Sequence, residues 1–150
     1  MVRPSMRPFF AALLVLSLSA CPGPEDGDDL VCPKSPQSVT LAATLQMQVF
    51  DADCKTCHNP SNSNGDYSTA EKTYAATVGV SSQFANGGTL KVVDPGSLKN
   101  SILWLKVLGG DSFGRKGPNG ESTYGAMPLG NGLSAAKKAA LKNWICSGAN

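Results

Sequence analysis

The segment FDADCKTCHNP (residues 50–60) holds two of the chain's five cysteines, Cys54 and Cys57, and its only histidine, His58. Two thiols and the lone imidazole within five residues constrain the fold more than any other feature, because whatever they hold must be enclosed by the rest of the chain. At 150 residues there is room for one domain and one modest core. The 16 Gly and 10 Pro favour short elements joined by long loops. Such loops need something besides apolar side chains to pack against.

The N-terminus is set apart from the fold. Arg3 and Arg7 form a positive region, and Phe9–Ala20 is an apolar run shorter than the ~20 residues a spanning helix needs. Its end, Leu18-Ser19-Ala20-Cys21, resembles a bacterial lipobox. That resemblance implies a signal peptide over 1–20, cleavage before Cys21 and acylation of its thiol. Cleavage one residue earlier, with Ser17 and Ser19 as the small pair, would give plain secretion, and an uncleaved anchor is the third outcome. The mature chain would then occupy an oxidising space on the periplasmic side of a bacterial membrane, where idle thiols do not persist. With Cys21 lipidated, Cys32, Cys54, Cys57 and Cys146 each need a role.

The formal charge of +2 includes Arg3 and Arg7, so the processed chain is neutral. Residues 21–90 carry three basic and eight acidic side chains, and residues 91–150 carry eight and three. The basic half either faces an acidic partner or is a solvated helix face. With no basic run and few aromatics, nothing points to nucleic acid.

Residues 21–37, rich in Pro, Gly and Asp, read as a flexible acidic tether. From Ser38 to Asn150 the chain reads as one domain. Val39, Leu41, Ala42, Leu45, Val49 and Phe50 recur at helical steps and predict a helix over 39–50. Residues 59–67 form a polar loop, and Ser68–Glu71 has the capping-box pattern before a helix over 69–77. Asp94-Pro95-Gly96-Ser97 is turn chemistry, with Ser97 capping a helix over 98–108 that buries Leu98, Ile102, Trp104 and Leu105. Ser134 caps a last helix over 135–146. Ala136, Ala140, Leu141, Trp144 and Ile145 line one side, and Lys137, Lys138 and Lys142 the other. Between these helices lies a 24-residue Gly-rich loop, 109–132, a length that suggests it works or wraps a ligand.

Cys54-x-x-Cys57-His58 has the spacing of a c-type haem attachment site. One turn of chain places two thiols along the edge of a porphyrin, where they can form thioethers with its vinyl groups, and puts the next residue under the iron. A zinc site would need four nitrogen or sulfur ligands, and only the remote Cys32 and Cys146 could complete it. A thiol–disulfide oxidoreductase starts a helix with this motif after a strand, whereas here a helix comes first. A structural disulfide beside a coincidental histidine is the remaining alternative. With no second histidine, the other face of the iron calls for a methionine. Met127 lies 69 residues after His58, late in the Gly-rich loop, and Pro128 biases it away from helical angles. Met47, on the first helix, is its rival, with core filling as its ordinary role.

Residues 38–150 resemble class I (mono-haem) cytochrome c domains, particularly the periplasmic type with MP followed by a Leu-Ser helix ending W-I-x-x-G-A. The matching residues are Cys54, Cys57, His58, Met127-Pro128, Leu133-Ser134 and Trp144–Ala149 (WICSGA), together with VVDPGSLKNSILWLKVLG (92–109). The resemblance implies an all-α fold of four to five short helices and long loops around one covalent haem c. Its first and last helices would cross, with Phe50 and Trp144 the bulky candidates for the crossing. Tyr67, Tyr74, Trp104 and Tyr124 are candidates for lining the haem pocket, with ordinary core as the alternative. Residues 79–93 and 110–123 look longer than a minimal domain needs, and Cys146 departs from the family. If the terminal helices cross, Cys32 and Cys146 can form a disulfide; an intermolecular link is the alternative.

His58 and Met127 together would leave no open position on the iron, and such ligation raises its reduction potential. The expected function is a membrane-tethered one-electron carrier that is not an enzyme. It would have redox proteins and a membrane as partners, and no small-molecule substrate. The alternatives are a haem-binding redox or gas sensor or accessory subunit of an enzyme complex, and a haem-free structural lipoprotein.

Overall fold

The computed structural model describes residues 29–61, 65–82, 90–109 and 125–150. Four helices occur among them: π1 (Leu41–Cys54), α1 (Ala70–Thr77), α2 (Ile102–Val107) and α3 (Ala135–Cys146). None is long and apolar enough to cross a membrane.

The first helix differs from its sequence expectation in length and in winding. It runs to Cys54, because nothing in Asp51-Ala52-Asp53 breaks it, and it is wound with i→i+5 bonds, as from Lys55 N–H to Phe50 O at 2.8 Å. Its buried side chains therefore recur at steps of four and five: Leu41, Leu45 with Gln46, then Val49 with Phe50. The same stride brings Cys54 under that face, half-buried. Met47 falls on the opposite side, 66% exposed, so it is not the core filler the sequence suggested.

α1 begins one residue later than the pattern implied. Thr69, not Ser68, is the N-cap, its hydroxyl accepting from Lys72 N–H. Ser68 N–H instead donates to the Asp66 carboxylate at 2.9 Å, which takes that residue into the preceding turn. α2 is shorter than 98–108. The Ser101 hydroxyl donates to Ser97 O at 2.7 Å and accepts from Asp94 N–H at 2.9 Å, so residues 98–101 stay in the turn. The expected residues are buried all the same, Ile102, Trp104 and Leu105 on α2 and Leu98 in the turn before it. α3 starts at Ala135 with Ser134 accepting from Lys137 N–H. It buries Leu141, Trp144 and Ile145 but exposes Ala136, which the sequence had placed on the buried side.

Residues 78–82 and 90–93, inside a segment first read as surplus loop, run side by side as extended chain. Val92 N–H donates to Val80 O at 2.8 Å and Ser82 N–H to Leu90 O at 2.9 Å.

Helices π1 and α3 pack through Phe50 and Trp144, edge to face at 6.1 Å, and both rings are wholly buried. The chain's end seals the crossing. Asn150 O accepts from Leu41 N–H and from the Trp144 indole, each at 3.1 Å, so π1 gains a cap its own Thr40 side chain does not provide.

Residues 29–37 were expected to belong to a flexible tether over 21–37, of which residues 21–28 lie outside the described residues. Residues 29–37 are docked: the Trp104 indole donates to Asp29 O, Leu30 packs on the core, and Gln37 N–H donates to Asn143 Oδ1 at 3.2 Å. Cys32 is joined to Cys146 across a sequence separation of 114. Composition misjudged this stretch because one Leu, one Cys and a few backbone groups suffice when long-range partners wait for them.

Closing so long a loop restricts the unfolded chain, and losing a native disulfide of this kind costs about 2–5 kcal/mol. The double variant Cys32→Ser/Cys146→Ser should lose that much in urea unfolding; an unchanged midpoint would contradict the loop-closure contribution. At the start of α1, hydrogen bonds from Ser68 and the Lys72 ammonium, 2.9 Å away, lower the Asp66 pKa from 3.8 to about 2. A depressed carboxyl stabilises above its unfolded value and loses that contribution as pH falls through its folded one. Between pH 3.8 and about 2, the parent should therefore lose more stability than Asp66→Asn; parallel urea midpoints across that window test the sign.

Candidate functional site

Cys54 ends π1, and the chain then makes one tight turn. Cys57 N–H and His58 N–H both donate to Cys54 O, at 3.2 and 3.0 Å. The motif's three side chains are thus presented from a single turn that the helix itself positions. Cys54 is half-buried with its thiol toward Val49 O at 3.7 Å, Cys57 is exposed, and the two are free thiols rather than a disulfide. Burial first, and the neighbouring Asp53 second, push the Cys54 thiol up to about 12. That is opposite to the lowered pKa of an attacking thiol, and it lends no support to the thiol–disulfide oxidoreductase alternative.

The zinc alternative gains nothing. Cys32 and Cys146 are spent on each other, and among the described residues no three His, Cys, Asp or Glu side chains gather as a cation site.

His58 is half-buried and stacks on Tyr67, with ring centroids 4.5 Å apart and planes 7° from parallel. Tyr67 N–H donates to His58 O at 2.9 Å, closing the intervening loop at its base. The outer ring is itself seated against Phe50, edge to face at 5.5 Å. A line of rings, His58–Tyr67–Phe50–Trp144, therefore connects the motif to the helix crossing. Burial first, and the neighbouring Cys54 second, raise the Tyr67 hydroxyl to about 12, so it stays protonated.

The other candidates are dispersed. Met127 is half-buried, its N–H donating to Lys106 O at 3.0 Å, which fastens the end of the Gly-rich loop to the end of α2. Met127 is bonded to the end of α2, whereas His58 stacks on Tyr67. Trp104 is buried and serves the N-terminal segment through its indole, while Tyr74 is 46% exposed on α1. Cys21 and Tyr124 lie outside the described residues.

Two positioning features escaped the sequence reading. Lys137 Nζ meets Asp53 at 2.7 Å, tying the start of α3 to the residue before Cys54. Gln46, 7% exposed on π1, donates to Tyr67 O and Asp51 Oδ1 (both 2.9 Å) and accepts from the Thr73 hydroxyl at 2.8 Å. Its hydrogen bond, ahead of the Lys55 ammonium, holds the Asp51 carboxyl below the usual range. The available signal was a polar residue between Leu45 and Val49 on an otherwise apolar face. No protein-family model, no curated protein and no solved structure matches this chain.

Proposed function

We propose that this chain is a one-electron carrier of the class I cytochrome c kind, with one covalent haem c. The observation that carries the reading is the turn at the end of π1: two free thiols and the sole imidazole, presented together while the other two described cysteines are paired. Cys54 and Cys57 would hold the haem edge through two thioethers, His58 would supply one axial ligand, and Met127 the other. When bound, the haem iron takes up and returns a single electron.

Three further features support the proposal. Edge-to-face packing of Phe50 on Trp144 agrees with the crossing of terminal helices that the family resemblance implies. The Lys106 carbonyl brings the Met127 segment back to the domain. A disulfide agrees with an oxidising compartment, and hence with export. With residues 29–37 docked, the tether to a membrane would comprise only the stretch from Cys21 to Asp28, and electrons would pass to redox proteins close to that surface.

The sensor or accessory-subunit reading depends on Met127. A thioether kept off the iron would leave a position open to small ligands, and its loop is exposed at Leu129, 77% of whose surface faces solvent.

The chain should be expressed with haem-attachment machinery and examined by pyridine-haemochrome spectrum and intact mass. One covalent haem per chain is expected, with covalent haem lost in Cys54→Ser/Cys57→Ser. A protein without a Soret band would sink the proposal. In the oxidised protein the long-wavelength band of a thioether–iron bond should be present and should vanish in Met127→Ala, which should also gain carbon monoxide binding and a lower potential. Carbon monoxide binding by the parent would favour the sensor.

A further inference from the structure

Tyr67 is held from every side. Its N–H is bound to His58 O and its C=O to the Gln46 amide, both at 2.9 Å. Phe50 meets its ring edge to face, and a Cβ on Gly65 would lie 3.1 Å from Tyr67 Cε1, closer than ordinary contact. Gly65 also has φ +102°, a conformation that side chains disfavour. The absence of a side chain there leaves the ring its space. Gln46 is fixed in turn: both amide hydrogens and the oxygen are engaged, and its partner Thr73 is wholly buried. A buried, fully satisfied polar network of this kind rigidifies the groups it joins.

The only ring parallel to Tyr67 among its described contacts is that of His58. We propose that Tyr67, locked by Gln46, is the positioning residue for His58, setting the plane of the imidazole and shielding one of its faces from water. The inference rests on the reading of His58 as an iron ligand. Tyr67 touches His58 and would act through it. The second partner of a metal-bound histidine commonly fixes its orientation, and here a stacked ring contributes to that task. The phenol oxygen has no part in stacking, so Tyr67→Phe should preserve the effect and Tyr67→Leu should abolish it.

The test uses the full chain, matured with haem and reduced to its diamagnetic state. In the parent, proton NMR should show cross-peaks between the His58 and Tyr67 ring protons. In the oxidised form, Tyr67→Leu should shift the hyperfine signals of the axial imidazole and change the midpoint potential. Tyr67→Phe should leave both at their parental values. Gln46→Leu, which removes the lock but keeps the ring, should move the same signals in the direction of Tyr67→Leu. A variant that merely loosened the fold would lower the unfolding midpoint without this pattern. Absence of the cross-peaks in the parent would overturn the proposal with no variant needed. So would a haem-loaded Tyr67→Leu whose imidazole signals and potential match the parent's. A parent chain with no Soret band would defeat the haem assignment itself, and the two failures are told apart by colour.

Discussion

Phe50 and Trp144 meet edge to face where π1 crosses α3, and most of the described structure is arranged around that contact. Both rings are excluded from water, so their combined apolar surface is among the largest the domain buries. Four long-range ties converge on the same pair of helices. Asn150 caps π1 and holds the Trp144 indole, Lys137 reaches Asp53, Gly96 N–H donates to Ile145 O at 2.7 Å, and Cys146 is bonded to Cys32. Removing the aromatic contact would leave these ties spanning a poorly filled gap.

The candidate site inherits its rigidity from that crossing. Cys54 is the last residue of one crossed helix, and His58 is coupled through Tyr67 to Phe50, a member of the crossing pair. A chain with short helices and many glycines has few rigid elements on which to mount chemistry. The motif stands at the end of a helix whose core side is packed on α3. At Met127 the chain is tied to the end of α2 through a backbone bond to Lys106.

Much of the local structure was legible in the residues. Ser134 announced α3, and the apolar periodicity announced Leu41, Leu45, Val49 and Phe50 as the buried side of π1 while wrongly adding Ala42, which is exposed; caps and faces are decided largely within a few residues. Errors came where two local signals competed or a distant partner decided. Ser68 and Thr69 are adjacent candidates for one cap, and Asp66 settled the choice by capturing Ser68. Ser97 lost its helix start because the Ser101 hydroxyl stitched the turn closed. Met47 was given a methionine's ordinary role as core filler, whereas it faces solvent. Residues 29–37 looked too polar to pack, yet Asp29, Cys32 and Gln37 each found a partner far along the chain.

The sequence by itself determined that two thiols and the only imidazole leave one turn together, since five consecutive residues cannot be far apart. It likewise determined where the last helix begins. Only the tertiary structure decided that Tyr67 lies flat on His58, that Gln46 joins π1 to Thr73 of α1, and that Cys32 sits beside Cys146. Those pairs are brought together by burial and by satisfying polar groups across the core, and no local spacing encodes which distant surface will be there to meet them.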